Sequence, residues 1–163
     1  MMMNRRTWMA AGGASLLGGF ALFGATRHSA ARTGDFEVKF SDAEWKKRLT
    51  PEQYSVLRQA NTERSGSSPL DREHRKGLFV CAGCALPLYS SAAKFESGTG
   101  WPSFFRPLPN AVRTQPDNSL FFSRTEVHCR RCGGHLGHLF DDGPKPTGLR
   151  YCMNGAALKF RPA

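Results

Sequence analysis

The five cysteines of this 163-residue chain divide into two closely spaced pairs and one residue that stands alone. Both pairs have the spacing C-x-x-C, with residues 85–128 between them. Two such pairs can bring four thiolates to one ion, and Zn²⁺ suits a tetrahedral set of thiolates best. We therefore predict a structural zinc site formed by Cys81, Cys84, Cys129 and Cys132. Two disulfides and an iron site are the alternatives.

The remaining cysteine, Cys152, is free to act as a nucleophile. If its segment is extended, Arg150, Cys152 and Asn154 share one face, while Tyr151 and Met153 share the other. A thiol flanked by a cation and an amide is better placed for catalysis than one between two hydrophobic residues, because a nearby cation favours the thiolate. The alternative is that Cys152 is a small buried apolar residue.

Four ordered motifs surround these cysteines: GTGWPSF (98–104), RTEV (124–127), CGGHLGHLFDDGP (132–144) and GLRYCMN (148–154). Together they resemble the B-type methionine sulfoxide reductases over about residues 40–160. The resemblance implies a mainly β fold of two antiparallel sheets with a structural zinc. It also implies reduction of the R epimer of methionine sulfoxide, free or in proteins. The site residues it implies are the catalytic Cys152, the substrate-binding Trp101, and the pocket residues His135, His138, Arg150 and Asn154.

These residue types suit that reaction. A sulfoxide needs a soft nucleophile at its sulfur and a proton at its oxygen, and Cys152 and a histidine can supply them. An unperturbed thiol with a pKa of about 8.5 is only slightly ionised near neutral pH, so Arg150 or a protonated histidine would raise the thiolate fraction. Either His135 or His138 could be the acid, since imidazole titrates near neutral pH. Attack would leave Cys152 as a sulfenic acid.

One position departs from the commoner family pattern. Many members carry a resolving cysteine two residues before the Trp-Pro-Ser element, where this chain has Thr99. With four cysteines assigned to zinc, no thiol remains to form a disulfide with Cys152. We therefore predict that an external thiol, such as a thioredoxin-like protein, reduces the sulfenic acid.

Other residues near the motifs have structural interpretations. Trp101 by itself could be a core residue, but glycines on both sides of Thr99 and the following proline favour a tight turn that presents its ring. Either histidine of the pocket could be scaffold, and Asp141 or Asp142 could orient one of them. We interpret the following as surface or loop residues: His28, His74, His128, Arg106, Arg113 and Arg124.

The elements that must position these residues are short. Capping boxes at Ser41 to Glu44 and Thr50 to Gln53 predict two helices in tandem. Residues 61–77 are polar and predict a loop. Short apolar runs bounded by turn residues predict antiparallel strands at 77–80, 86–89, 120–123, 125–128 and 156–160.

The N-terminal segment has the composition of an export signal. Arg5 and Arg6 precede an uncharged, glycine-containing stretch, Thr7 to Thr26, which is typical of the twin-arginine pathway. We therefore divide the chain into a signal segment, 1–34, and one reductase-type domain, 35–163. A periplasmic location follows, with a membrane anchor as the alternative if the segment is not cleaved. Folded export would protect the zinc thiolates from oxidation.

Composition and charge limit the classes of function that the domain could have. The formal charge is +10, from 23 basic and 13 acidic residues. Four arginines precede the domain, which leaves 23 − 4 = 19 basic residues and a charge of +6. Without a basic tract, nucleic-acid binding is not required by the charge of the domain. For the oligomeric state we expect a monomer. A Cys₄ zinc ribbon that binds nucleic acid or protein is the alternative function, whereas a thioredoxin-like fold would need a βαβ pattern that is absent.

Overall fold

A computed structural model describes residues 35–119 and 123–163. The first elements of the described residues are two short helices, α1 (Asp42–Arg48) and α2 (Pro51–Gln59). Both open with a complete capping box, as predicted, in which the first side chain and the third helical side chain satisfy each other's backbone N–H groups. Within the described residues neither helix is long and apolar enough to cross a membrane. The predicted signal segment, 1–34, lies outside them.

The described residues also form nine short strands, and every pairing between these strands is antiparallel. They are β1 (Gly77–Cys81), β2 (Pro87–Ser90), β3 (Lys94–Phe95), β4 (Ser103–Phe104), β5 (Val112–Asp117), β6 (Arg124–Cys129), β7 (His135–Phe140), β8 (Arg150–Met153) and β9 (Leu158–Pro162). One sheet has the order β2-β1-β9 and the other β3-β4-β8-β7-β6-β5. The predicted fold class, two antiparallel sheets with short N-terminal helices, is confirmed.

Several strand boundaries differ from the sequence prediction. Residues 155–157 form a 3₁₀ turn, so the last strand begins at Leu158. The predicted loop at 61–77 contains a second such turn, Pro69–Arg72. The prediction for 120–123 falls mainly outside the described residues. The sequence prediction missed four strands. Strands β3 and β4 are only two residues long, β5 is polar and contains Pro116, and β7 is interrupted by Gly137.

An aromatic layer joins the two sheets. The rings of Tyr89 and Phe104 stack with centroids 4.3 Å apart, and Phe79 meets Phe104 edge-on at 4.9 Å. The Tyr89 hydroxyl donates to the sulfur of Met153 at 3.0 Å. Met153 thus anchors one face of β8 in the core, which leaves Cys152 on the opposite face.

Strand β8 lies between β4 and β7, and its register with these two neighbours aligns three polar side chains. Cys152 is paired with Ser103 of β4 on one side and with His138 of β7 on the other. The approach of β7 is very close at Gly137, where a Cβ atom would lie 2.1 Å from the carbonyl oxygen of Cys152. The sheet therefore brings a thiol and an imidazole together from residues that are distant in sequence.

Candidate active site and metal centre

A pocket of about 130 Å³ opens beside β8. Four of the predicted site residues line it: Trp101, His138, Cys152 and Asn154. Its wall also includes Phe140 and Arg124. The predicted residues Arg150 and His135 do not line the pocket but contact residues that do.

The thiol of Cys152 is partly buried at the pocket wall. Burial raises the pKa of Cys152 above its ordinary value, and the charge of Arg150 and hydrogen bonds with Thr99 and Ser103 oppose that rise. Arg150 thus acts in the direction expected from the sequence, but desolvation outweighs it. The hydroxyl of Thr99 also bonds to Ser97 at 2.8 Å. Thr99, at the position where the resemblance places a resolving cysteine, therefore lies against the thiol of Cys152.

Arg150 is held in place by a carboxylate. Its Nε and Nη2 atoms both donate to Asp142 at 2.8 Å, in the bidentate geometry that guanidinium and carboxylate favour. Its guanidinium also lies 4.4 Å from the centroid of the Phe140 ring. Of the two aspartates considered from the sequence, Asp142 orients this arginine and not a histidine.

The imidazole of His138 meets a different carboxylate. Its Nε2 atom lies 2.7 Å from Oδ2 of Asp117, which also accepts from Nη2 of Arg124 at 2.7 Å. Burial lowers the pKa of His138, and the hydrogen bond to Asp117 opposes this effect. The interpretation of Arg124 as a solvated surface residue was wrong, because its side chain is only 22% exposed and lines the pocket.

The other predicted histidine, His135, lies behind the pocket. It is 2% exposed, its Nδ1 atom bonds to Glu126, and its ring centroid is 5.3 Å from that of His138. Glu126 in turn accepts from the side chain of Gln115 at 3.0 Å. His128 is also buried, in β6, so its assignment to the surface was wrong.

Trp101 and Asn154 are both fixed by one residue of the N-terminal loop. The backbone N–H of Glu63 donates to Oδ1 of Asn154 at 2.9 Å, and its backbone carbonyl accepts from the indole of Trp101 at 3.3 Å. Gly100 precedes the indole with φ of 84°, which confirms the tight turn. Sequence reasoning missed Glu63 because it lies 91 residues from Asn154.

The four paired cysteines form a compact cluster. Their Sγ atoms all lie within 4.8 Å of one another, with Cys81 and Cys132 at 3.7 Å and Cys84 and Cys129 at 3.5 Å. A tetrahedral zinc site with Zn–S bonds of about 2.3 Å places its sulfurs roughly 3.8 Å apart. All four cysteines are free, so the structure contains neither of the alternative disulfides. The donor set and its spacing fit a structural metal ion.

A partly buried thiol beside an imidazole and an indole, on a β scaffold with a Cys₄ cluster, is an arrangement that suits an oxidoreductase. The comparisons agree, because the SelR domain family matches residues 49–162. The chain therefore belongs to the SelR, or methionine sulfoxide reductase B, family. This membership favours the enzyme over the zinc-ribbon binding module as the main role.

Curated relatives cover most of the domain. The peptide methionine sulfoxide reductase MsrB of Leptospira interrogans is 54% identical over 128 residues, which is 78% of this chain and 98% of the relative. The MsrB of Methanosarcina barkeri is 55% identical over 76% of this chain and 88% of its own length. That of Agrobacterium fabrum is 51% identical over 77% of this chain and 94% of its own length.

Proposed function

We propose that the protein reduces the R epimer of methionine sulfoxide, free or in proteins, with Cys152 as the nucleophile. The observation that carries this proposal is the pairing of Cys152 with His138 across β7 and β8, with both side chains lining the pocket beside Trp101. The indole offers an apolar face for the methyl group of the substrate. The family of the chain supports the same reaction.

In the proposed reaction the Cys152 thiolate attacks the sulfur of the sulfoxide. This attack forms an S–S bond, which breaks as the protonated oxygen moves from the substrate sulfur to Cys152. An S–O bond to Cys152 thereby replaces the S–O bond of the substrate, so that methionine leaves and Cys152 becomes a sulfenic acid. The substrate sulfur is reduced by two electrons and the cysteine sulfur is oxidised by two. His138 is the proposed proton donor to the substrate oxygen, and Asp117 keeps its ring in place.

The enzyme must then recover its thiol. In our proposal one external thiol attacks the sulfenic sulfur and releases water, and a second thiol resolves the mixed disulfide. Thr99 supports this route, because no described thiol other than the zinc-site cysteines is available to Cys152. Dimedone should trap the sulfenic acid after one turnover. A stable disulfide between Cys152 and any cysteine of the cluster would contradict the proposal.

The decisive experiment measures consumption of the R and S epimers, resolved chirally, by the zinc-loaded chain with dithiothreitol as reductant. We expect turnover of the R epimer alone and its loss in Cys152→Ser. Ser123→Ala is a suitable control, because it removes the hydroxyl of an exposed serine. Reduction of neither epimer by the folded protein would overturn the proposal, and reduction of the S epimer would overturn its stereochemistry.

We also propose that the metal of the Cys₄ cluster is zinc with a structural role. Cys81 ends β1 and Cys84 lies in the turn that follows, whereas Cys129 ends β6 and Cys132 lies in the turn before β7. Zinc bound as a closed tetrahedral site would link the two sheets and supply no reactive ligand position. Metal analysis of the purified chain should find one zinc per protein.

For cellular location we propose export by the twin-arginine pathway to the periplasm. The support is the Arg5 and Arg6 pair ahead of an uncharged stretch. Replacing both arginines by lysine should leave the protein in the cytosol, as measured by cell fractionation. Export of the double variant at the wild-type rate would contradict this assignment.

A further inference from the structure

Glu63 is a buried acidic residue that the proposed reaction does not use. It is 6% exposed, and its carboxylate accepts from the backbone N–H groups of Gly155 at 2.6 Å and Ala156 at 2.7 Å. Its own backbone holds Asn154 and Trp101, as described above. Four hydrogen bonds thus connect this one loop residue to the pocket and to the segment that follows Cys152.

The side chain of Glu63 caps the 3₁₀ turn that follows Cys152, which is the role that an asparagine at position 154 would normally have. Asn154 is the N-cap of the 3₁₀ turn Gly155–Ala157, but its side chain makes no capping hydrogen bond. Asparagine is a favoured N-cap because its side-chain oxygen can accept from the first N–H groups of the turn. Here those N–H groups are already bonded to the side chain of Glu63. Burial raises the pKa of Glu63, and these two backbone hydrogen bonds oppose that rise.

The amide of Asn154 is consequently directed elsewhere. Its Oδ1 atom accepts from the backbone of Glu63, its Nδ2 atom donates to the carbonyl oxygen of Leu136 at 3.1 Å, and the residue lines the pocket. Close packing preserves this arrangement, because a Cβ atom at Gly155 would lie 1.9 Å from Oγ of Ser68. The absence of a side chain at Gly155 therefore lets the turn pack closely against Ser68 and Glu63.

We propose that Glu63 is a positioning residue that caps the turn after β8 and so keeps the amide of Asn154 available to the pocket. This inference rests on the proposed function, in which Asn154 is a site residue. Without the carboxylate, the N–H groups of Gly155 and Ala156 lose their acceptor. The side chain of Asn154 can then give up its bonds to Glu63 and Leu136 and cap its own turn. The pocket then loses a polar group, although the nucleophile is unchanged.

The test is a double-mutant cycle between Glu63→Gln and Asn154→Ala, in full-length zinc-loaded protein, read as kcat/KM for R-methionine sulfoxide. Glu63→Gln replaces one of the two acceptor oxygens by a donor, and we expect roughly a tenfold loss. In the Asn154→Ala background the same change should cost less than about twofold, because coupled residues are not additive. Glu37→Gln, at an exposed position before α1, is the matched control and should have no effect.

A purely structural role is distinguished by the reactivity of the thiol. If Glu63 acts through Asn154, Glu63→Gln leaves the rate of Cys152 alkylation by iodoacetamide unchanged while kcat/KM falls. An equal loss in both backgrounds, or wild-type kcat/KM in folded Glu63→Gln, would overturn the proposal. If Glu63→Gln does not fold, Glu63→Asp keeps the charge with a shorter reach, and the same cycle applies.

Failure of the proposed function is recognised separately, because wild-type protein would then reduce neither epimer. In that case the side-chain amide signals of Asn154 in ¹⁵N NMR spectra, assigned by their loss in Asn154→Ala, decide the inference. They should shift in Glu63→Gln and remain unchanged in Glu37→Gln. Unchanged signals in Glu63→Gln would overturn the positioning role.

Discussion

At the scale of single residues, the reactivity of the site depends on the balance around one sulfur atom. Burial raises the pKa of Cys152, while Arg150, Thr99 and Ser103 act to lower it. Because the thiolate of Cys152 is the proposed nucleophile, activity should rise with pH as the pH passes through this raised pKa. The two carboxylates nearby have different tasks, since Asp142 orients Arg150 and Asp117 orients His138.

Removing the charge of Arg150 should therefore move the pH profile. In Arg150→Met the pKa of Cys152 rises further, so the ascending limb of kcat/KM shifts to higher pH and activity near neutral pH falls roughly tenfold. Rates of iodoacetamide alkylation against pH measure the thiol directly. Arg161→Met, at an exposed position on β9, should leave the profile unchanged, and an unshifted limb in Arg150→Met would contradict the electrostatic role.

A second residue-scale prediction concerns Thr99, whose hydroxyl reaches the thiol of Cys152. Thr99→Cys should place a second thiol beside the sulfenic acid, so that oxidation by substrate yields an intramolecular disulfide and water. Mass spectrometry after one turnover without reductant would detect it. Ser97→Cys is the control, since Ser97 is the next hydroxyl away. Persistence of a dimedone-reactive sulfenic acid in Thr99→Cys would show that the two sulfurs cannot meet.

At the scale of elements, the site depends on how closely β7 approaches β8. Gly137 permits this approach, because any side chain there would collide with the backbone at Cys152. The same strands carry His138 and Cys152 in register, so a displacement of β7 separates the proposed proton donor from the nucleophile.

Gly137→Ala should consequently lower both stability and turnover. We expect the free energy of unfolding to fall by about 1–3 kcal/mol, as for other overpacked sites. After a loss of this size the protein remains mostly folded, so unfolding alone would hardly lower kcat/KM. We expect a larger fall in kcat/KM, because the displacement of β7 separates His138 from Cys152. Gly83→Ala is a matched control, because its added methyl group meets Trp45 at 3.4 Å, near ordinary contact. Denaturant unfolding and chiral turnover assays provide the two measurements.

At the scale of the whole molecule, the Cys₄ cluster connects parts that the chain visits far apart. It ties the turn after β1 in the small sheet to the turn between β6 and β7 in the large sheet. Helix α2 packs over the same region, where Arg58 donates to the carbonyl oxygen of Cys132 at 3.1 Å. Metal binding at such a site contributes to folding, because the unfolded chain has no preformed site.

Loss of the metal should therefore destabilise the whole domain. Cys84→Ser should lose zinc and melt at a lower temperature, whereas Cys152→Ser should retain zinc and the wild-type melting temperature while losing activity. Metal analysis and thermal unfolding followed by circular dichroism distinguish the two variants. Equal melting temperatures for Cys84→Ser and wild type would show that the metal does not support the fold.

The sequence by itself determined the features that local patterns encode. Capping boxes at Ser41 and Thr50 predicted both helices, because a cap and its partner lie three residues apart. The two C-x-x-C pairs predicted the sulfur cluster, and the motif around Cys152 indicated the family. The catalytic roles assigned to Cys152 and His138 remain predictions.

Only the tertiary structure decided which side chains meet across the sheets. Asp117 reaches His138 from 21 positions away, and Glu63 reaches Gly155 from 92. Strands β5 and β7 form without an apolar alternation in their sequences, because pairing with neighbouring strands of the sheet stabilises them. Contacts of this kind depend on strand order and register, which are set by packing of the whole domain and leave no local signal in the sequence.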